Sequence, residues 1–414
     1  MKVFLVIKIM KKILLINSSD IGSTGKISIS LKNYYEKKGH SVYFATFIFN
    51  EKNKNDTSYL SMEYSHFSSF INKIKCRMGG GDGFFHKGET KKLIKKIETI
   101  NPDVVHLHNL HGSYINMEIL FDYLVTNKIK TIWTLHDCWA FTGRCPYFTM
   151  SNCLQWQTHC KKCPWVAKRN YPAAYIINNP SKYFEKKIRI INNAFNILTL
   201  VTPSNWLLEL LERSKIKNVK SMCINNGIDY IETINENAKN FLSNLNIDKN
   251  KIIIFAAAYP FGKRKGIDFI KEVSYLIDYS KYEFIVVGLT KKQEKEIKKN
   301  IVSTGVIKDA SIMQELFRVS DYFINPTLED NFPTVNLESL AAGTPVITFK
   351  TGGSPEVLTD DCGIVIEEKT TKALLEAINS ITKKNTLVIE KCKKQSTLFS
   401  EKLMLDKYYK LVIG

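Results

Sequence analysis

Short, almost wholly apolar runs recur along this chain, and most are followed by a stretch with helical spacing. In the first half they are Ile13 to Asn17, Ser41 to Phe47, Val104 to Leu107, Ile129 to Leu135 and Ile197 to Pro203. In the second half they are Ile252 to Ala257, Phe284 to Val287, Tyr322 to Asn325 and Val346 to Phe349. A strand that is apolar on both faces must be covered on both faces, which points to parallel sheet flanked by crossover helices. Thr90 to Ile100, Trp206 to Arg213 and Thr334 to Ala342 read as such helices. At 414 residues the chain is too long for one core, so two doubly wound α/β units in series are expected. The boundaries predicted are 1–230 and 231–396, with a final helix of about 397–414 packing back on the first domain. Ligands of such units sit outside the carboxyl ends of the strands, and two units facing each other enclose a cleft. The polar, Asn-rich stretch Glu232 to Lys251 reads as the linker between them. Glu51 to Lys87 is the least regular segment, with a mobile loop expected at Gly79-Gly80-Gly81-Asp82-Gly83.

The formal charge of +19 is unevenly spread. Residues 1 to 200 hold 29 Lys+Arg against 13 Asp+Glu, whereas residues 201 to 414 hold 30 against 27. A basic first half attracts polyanions, whether lipid headgroups, a diphosphate-linked substrate or nucleic acid, and charge alone does not choose among them. A Lys-rich solvated surface is the bland alternative. No run reaches the roughly 18 to 20 apolar residues that span a bilayer, so membrane contact is expected to be peripheral. The apolar stretch Val3 to Met10 is interrupted by Lys8, and no small-residue cleavage site follows it. Met10 is expected to be the natural start. Nine cysteines without a secretion signal predict thiols in a reducing compartment.

The richest motif is Asp330-Asn331-Phe332-Pro333-Thr334-Val335-Asn336-Leu337-Glu338, followed by Gly343-Thr344-Pro345. It lies between a predicted strand and a predicted helix, so its two acids flank a helix N-terminus. The free amides and the positive end of the helix dipole there suit a diphosphate. Asp330 in the loop can accept hydrogen bonds from sugar hydroxyls, and Glu338 from two ribose hydroxyls. Taken alone, acids at a helix start are more often caps than ligands. The whole string, however, resembles the acidic donor-site motif of the family 4 retaining glycosyltransferases, which pairs two acids with seven residues between. Thr351-Gly352-Gly353-Ser354-Pro355-Glu356 fits the same family. The resemblance implies the two-domain Rossmann-like fold called GT-B and a donor site at Arg264, Lys265, Asp330, Asn331, Thr334, Val335 and Glu338. The chain departs from the family by placing Asp330 where a Glu is usual, with Glu329 before it. It also has Tyr259 where an Arg usually joins the phosphate clamp, leaving Arg264 as the substitute beside Lys265.

In the first half, Gly22, Ser23, Thr24 and Gly25 open a predicted helix after the first strand and resemble the acceptor-facing loop of these enzymes. Lys26 is followed by Ile27, so this is not a nucleotide-binding P-loop. His106, His108 and His111 invite a metal, but Mg²⁺ prefers oxygen ligands and the resemblance implies metal-independent chemistry. His136, at a strand end, resembles the family's cleft histidine, which meets the donor sugar near its anomeric carbon; the alternative is a histidine satisfied within the sheet end. Cys145, Cys153, Cys160 and Cys163 follow. Cys160-Lys161-Lys162-Cys163 makes one zinc knuckle, so these four either hold a structural zinc or remain free or paired thiols. The segment from Trp133 to Pro164 looks like an exopolysaccharide and colanic-acid-type subgroup of the family.

Taken together, the resemblance implies a retaining hexosyltransferase. Its catalytic residues would be His136, Asp330 and Lys265, its donor a UDP- or GDP-sugar, and its acceptor a polyprenyl-diphosphate-linked saccharide of O-antigen, capsule or exopolysaccharide. No cofactor is implied for catalysis beyond a possible zinc of structural role, and no nucleic acid is expected. The expected location is cytoplasmic, on the anionic inner face of the cell membrane. A GT-B epimerase or phosphorylase shares the architecture. A zinc-knuckle nucleic-acid-binding protein would explain the charge and cysteines but would leave the second half without a role.

Overall fold

The computed structural model describes residues 10–414 except 49, 54–55, 63–65, 80, 162, 165–179, 231–235 and 299. Thus the apolar stretch at Val3, part of the Gly79–Gly83 loop and the start of the expected linker lie outside the described residues.

Among the described residues, the first sheet contains β1 (Lys12–Ser19), β2 (Ser41–Ile48), β3 (Tyr59–Ser61), β4 (Val104–Leu107), β5 (Lys130–Thr134), β6 (Leu198–Thr202) and β7 (Lys220–Cys223). The second contains β8 (Ile252–Ala257), β9 (Tyr282–Val287), β10 (Val302–Ser303), β11 (Tyr322–Asn325), β12 (Val346–Phe349) and β13 (Gly363–Ile366). Every pairing between these strands is parallel, as the two-sided apolar runs require. The spatial orders are β3-β2-β1-β4-β5-β6-β7 and β10-β9-β8-β11-β12-β13. In each sheet the winding reverses once, between β1 and β4 and between β8 and β11. That is where a crevice opens at the strands' carboxyl ends.

The chain divides into Met1–Ile224 with Leu405–Gly414, and Asn225–Met404. The first crossing therefore falls six residues before the expected 230/231 boundary. The last helix, Glu401–Ile413, changes unit within its first turn. Tyr408 from it bonds Thr134 at 2.9 Å, and Lys11 Nζ donates to the Val412 carbonyl at 3.0 Å.

Two expectations need correction. The Asn-rich linker is a built part of the second unit: it carries the helix Glu236–Ser243, and Leu242, Leu245 and Ile247 pack on the core around Phe255, Phe317 and Leu340. Apolar residues spaced among the asparagines supply the burial that the composition hides. The irregular segment also contains β3 and the helix His66–Gly79. Asp82, 5% exposed, ties its loop down by accepting the amides of Gly112 (2.9 Å) and Ser113 (2.7 Å).

Candidate active site

In the second unit, the segments leaving β8 and β11 meet at the point where the winding reverses. Gly266 has φ +82°, and a Cβ there would stand 2.1 Å from the Pro326 carbonyl oxygen, so only glycine lets the two segments touch. Leu328 N–H then donates to the Arg264 carbonyl at 2.8 Å, and the Arg264 guanidinium to the Glu329 carbonyl at 2.6 Å. Lys265 donates to the Asp330 carboxylate, whose other oxygen accepts Asn331 N–H at 3.0 Å. Lys265 and Asp330 keep 23% and 12% of their side chains exposed. The structure thus brings Arg264, Lys265 and Asp330 together, with both cations held by the acidic loop. Glu329, buried and next in the chain, lies within electrostatic reach of Lys369.

Thr334 opens the helix Thr334–Ala341 behind Pro333, and no side chain caps its first turn. Thr334, Val335 and Glu338 are half-buried on it, while Asn331 is buried and its carbonyl accepts Gly353 N–H at 2.8 Å. Beneath lies a buried network that the motif alone did not assign. Asn325 Nδ2 donates to Asn336 Oδ1 (2.8 Å) and Asn336 Nδ2 to Ser354 Oγ (2.9 Å), while Thr348 and Ser354 hydroxyls bond at 2.8 Å. It ties β11, β12, the helix and the Gly353–Ser354 turn into one rigid seat. The signal was polar residues inside otherwise apolar runs.

In the first unit the strand ends are joined in the same way. Asn17, fully buried, accepts Asn109 N–H at 3.3 Å and donates to Ser28 at 3.1 Å, and Asn109 donates to Thr24 at 3.4 Å. Gly25 lies so close to Asp20 that a Cβ would be 2.3 Å from its carbonyl carbon. Gly22 and Ser23 are exposed.

The histidines divide among separate partners. His106 and His108 do share a face, stacked at 4.4 Å. His106 bonds Thr134 (2.9 Å), His108 Nδ1 meets His136 Nε2 (3.0 Å), and His111 meets Asp137 (2.8 Å). Burial pushes His106 down to about 3, His136 to about 4 and His108 well below its usual value. Burial also opposes charge on His111, but the Asp137 carboxylate outweighs it and raises that imidazole. His136 is therefore a neutral ring fixed by its neighbour, beside His111, whose charged form Asp137 favours. The His108 contact was not legible in the motif, because it depends on the β4–β5 register.

The stretch after β5 wraps around Trp156, which meets Phe141 edge-on (5.4 Å) and Phe148 at a tilt (5.1 Å). The Cys145 and Cys163 thiols hydrogen-bond, which together with burial pushes Cys145 well above its usual value. Cys160 accepts Gly143 N–H at 3.2 Å, and burial pushes it up to about 11.

Two parallel-sheet Rossmann-like units, each with polar residues gathered where its winding reverses, define the GT-B class. Solved structures agree in fold. A Rickettsia africae glycosyltransferase matches at TM-score 0.68 with 16% identity, covering 97% of this chain and 98% of that one. Anabaena Alr3699/HepE in complex with UDP-glucose matches at TM-score 0.66 with 12% identity, covering 97% and 99%. Among sequences, the chain is 25% identical over 82% of its length to WcaC of Escherichia coli (strain K12), provisionally named a colanic acid biosynthesis glycosyl transferase, 83% of which is covered. It is 26% identical over 49% of its length to the Campylobacter jejuni N,N'-diacetylbacillosaminyl-diphospho-undecaprenol alpha-1,3-N-acetylgalactosaminyltransferase, 55% of which is covered. The family model Glycosyltransferase Family 4 matches residues 27–231 and Glycosyl transferases group 1 matches 250–384, and the chain belongs to this glycosyltransferase family.

Proposed function

We propose that this protein transfers a hexose-type sugar from a nucleotide diphosphate sugar to a polyprenyl-diphosphate-linked saccharide, with retention of configuration, in the synthesis of a surface polysaccharide. The observation that carries the reading is the Lys265–Asp330 contact beside the uncapped start of Thr334–Ala341. A diphosphate arriving at those amides offers Lys265 a second anion, and the amides and the ammonium stabilise charge as the leaving group departs. Asp330 then accepts sugar hydroxyls and Glu338 the ribose hydroxyls, with Asn331, Thr334 and Val335 lining the seat and Arg264 shaping it. Neutral His136 can donate a hydrogen bond near the anomeric carbon without adding a charge. Gly22, Ser23, Thr24 and Gly25 face the acceptor in this reading.

The bond between the anomeric carbon and the diphosphate oxygen breaks, a bond to the acceptor oxygen forms on the same face, and the departing phosphate takes the acceptor proton. No divalent cation is called on for these steps. The names of the Escherichia coli and Campylobacter relatives support a polysaccharide product and a lipid-diphosphate acceptor. The basic first half supports a place on the anionic inner face of the cell membrane. No described helix is long and apolar enough to cross a membrane.

A panel of UDP-, GDP- and other nucleotide sugars tests the reading, scored by thermal stabilisation and by transfer with Mg²⁺ and Mn²⁺ omitted. Stabilisation by one nucleotide class, with a product of retained configuration, is expected. A product of inverted configuration, or no stabilisation by any member, would defeat it.

A further inference from the structure

We propose that His108 is a positioning residue, which fixes His136 in the tautomer that carries its proton on Nδ1. The inference rests on the proposed function only for the use of that proton. Both rings stand just beyond the carboxyl ends of β4 and β5 in the first unit. His108 is 1% exposed and its backbone is held on both sides: its N–H donates to the Ile16 carbonyl at 2.9 Å, and its carbonyl accepts Trp133 Nε1–H at 2.7 Å. Its ring stacks on that of His106 at 4.4 Å. It is nearly coplanar with the ring of His136, at 14° with the centres 5.3 Å apart. With His108 Nδ1 3.0 Å from His136 Nε2, the bond runs edge to edge along both rings, where the N–H and the lone pair of an imidazole point.

One orphaned atom sets the direction of that bond. His108 Nε2 is buried without a hydrogen-bond partner. A proton there would be an unpaired N–H in the interior, whereas an unused lone pair is tolerated more readily. A doubly protonated ring would bury that N–H together with a charge, and among the described residues the carboxylates that meet histidines meet His86 and His111 instead. His108 therefore carries its one proton on Nδ1 and donates it to His136 Nε2. His136, neutral, is left with its own proton on Nδ1. The same accounting places the His106 proton on Nε2, toward Thr134, because Nδ1 is the unpartnered atom of that ring. His136 is half-buried where His108 is sealed, so a ligand can reach it. Its Nε2 lone pair is committed, which leaves it a hydrogen-bond donor and closes that nitrogen as a base for the acceptor proton. That agrees with a reaction in which the departing phosphate takes the proton.

The test labels the histidine rings of the full chain with ¹⁵N and ¹³C and reads their tautomers by NMR at neutral pH, with no sugar nucleotide present. His136→Gln and His108→Asn identify the two signals by their loss. His136 and His108 should each show a protonated Nδ1 and a bare Nε2, and a proton on His136 Nε2 would overturn the assignment. Transfer assays then compare two substitutions of nearly equal size. His108→Asn keeps an amide N–H close to where Nδ1 stood, so His136 should hold its tautomer. His108→Leu lacks it, so His136 should sample both tautomers, and kcat should fall on the order of 10- to 100-fold below that of His108→Asn with the donor KM little changed. Equal kcat in the two variants, or losses that follow their thermal stability instead, would reduce His108 to packing and overturn its role. If neither variant folds, the wild-type spectrum decides alone. Absence of transfer by the wild type would defeat the functional reading, and the tautomer would still stand or fall on its own spectrum.

Discussion

Lys265 and Asp330 hold each other where the segments from β8 and β11 touch, so neither can be changed without altering the other. Asp330→Ala leaves a half-enclosed ammonium without its carboxylate and removes the proposed acceptor for sugar hydroxyls. Transfer should fall on the order of 100-fold in kcat/KM, measured under saturating acceptor. Gly266→Ala acts differently, because its Cβ meets the backbone of Pro326 at a positive φ. A loss of about 2 kcal/mol or more in unfolding free energy is expected, together with weaker nucleotide binding; calorimetry and titration check both. The buried histidines make a pH prediction. His106 and His136 fall to about 3 and about 4 from an ordinary 6.5, and His108 is lowered as well. Above pH 6.5 they contribute no pH dependence. Below it the unfolded chain binds protons that the folded chain refuses, so stability falls as the pH drops from 6.5 towards 4. His111, raised by Asp137, gives its full stabilisation below 6.5 and loses it only as the pH climbs above that value, so it leaves the acid-side fall unopposed. The thermal midpoint should drop on acidification across that window, and His106→Gln should flatten the slope.

At the scale of elements, the helix Thr334–Ala341 is seated from both sides: Leu337 and Leu340 are fully buried below it, and Asn336 enters the network with Asn325 and Ser354. Asn336→Ala leaves those buried partners unmatched, at about 1 to 3 kcal/mol of stability. It should also raise the donor KM, since the first turn of the helix loses its anchor. The central strands and this helix were legible because burial on both faces leaves an unbroken apolar run, as in Ile252–Ala257. The edge strands were not. β3, β7 and β10 pair on one side, are partly exposed and carry polar residues such as Ser61, Lys220 and Ser303, so they lack the signal. The candidate site divides similarly. Asp330, Lys265 and Glu338 stand out by residue type and spacing, whereas the His108–His136 contact and the Asn325–Asn336–Ser354 network follow from strand register and helix placement, which spacing along the chain does not encode.

For the molecule as a whole, the excess of cations lies in residues 1 to 200, outside the unit that carries the proposed donor seat. In the proposed function that separation assigns acceptor and membrane to one unit and nucleotide to the other. Binding to vesicles with anionic lipid should exceed binding to neutral vesicles and weaken steeply with salt; flotation measures it, and equal binding to both would remove the membrane role. The central claim is that the segment from Asp330 to Glu338 holds a nucleotide sugar. Titration calorimetry of wild type and Glu338→Ala with the preferred nucleoside diphosphate tests it most directly. Loss of two charge-assisted hydrogen bonds should weaken binding on the order of 100-fold with the fold intact, and unchanged affinity in a folded Glu338→Ala protein would contradict it.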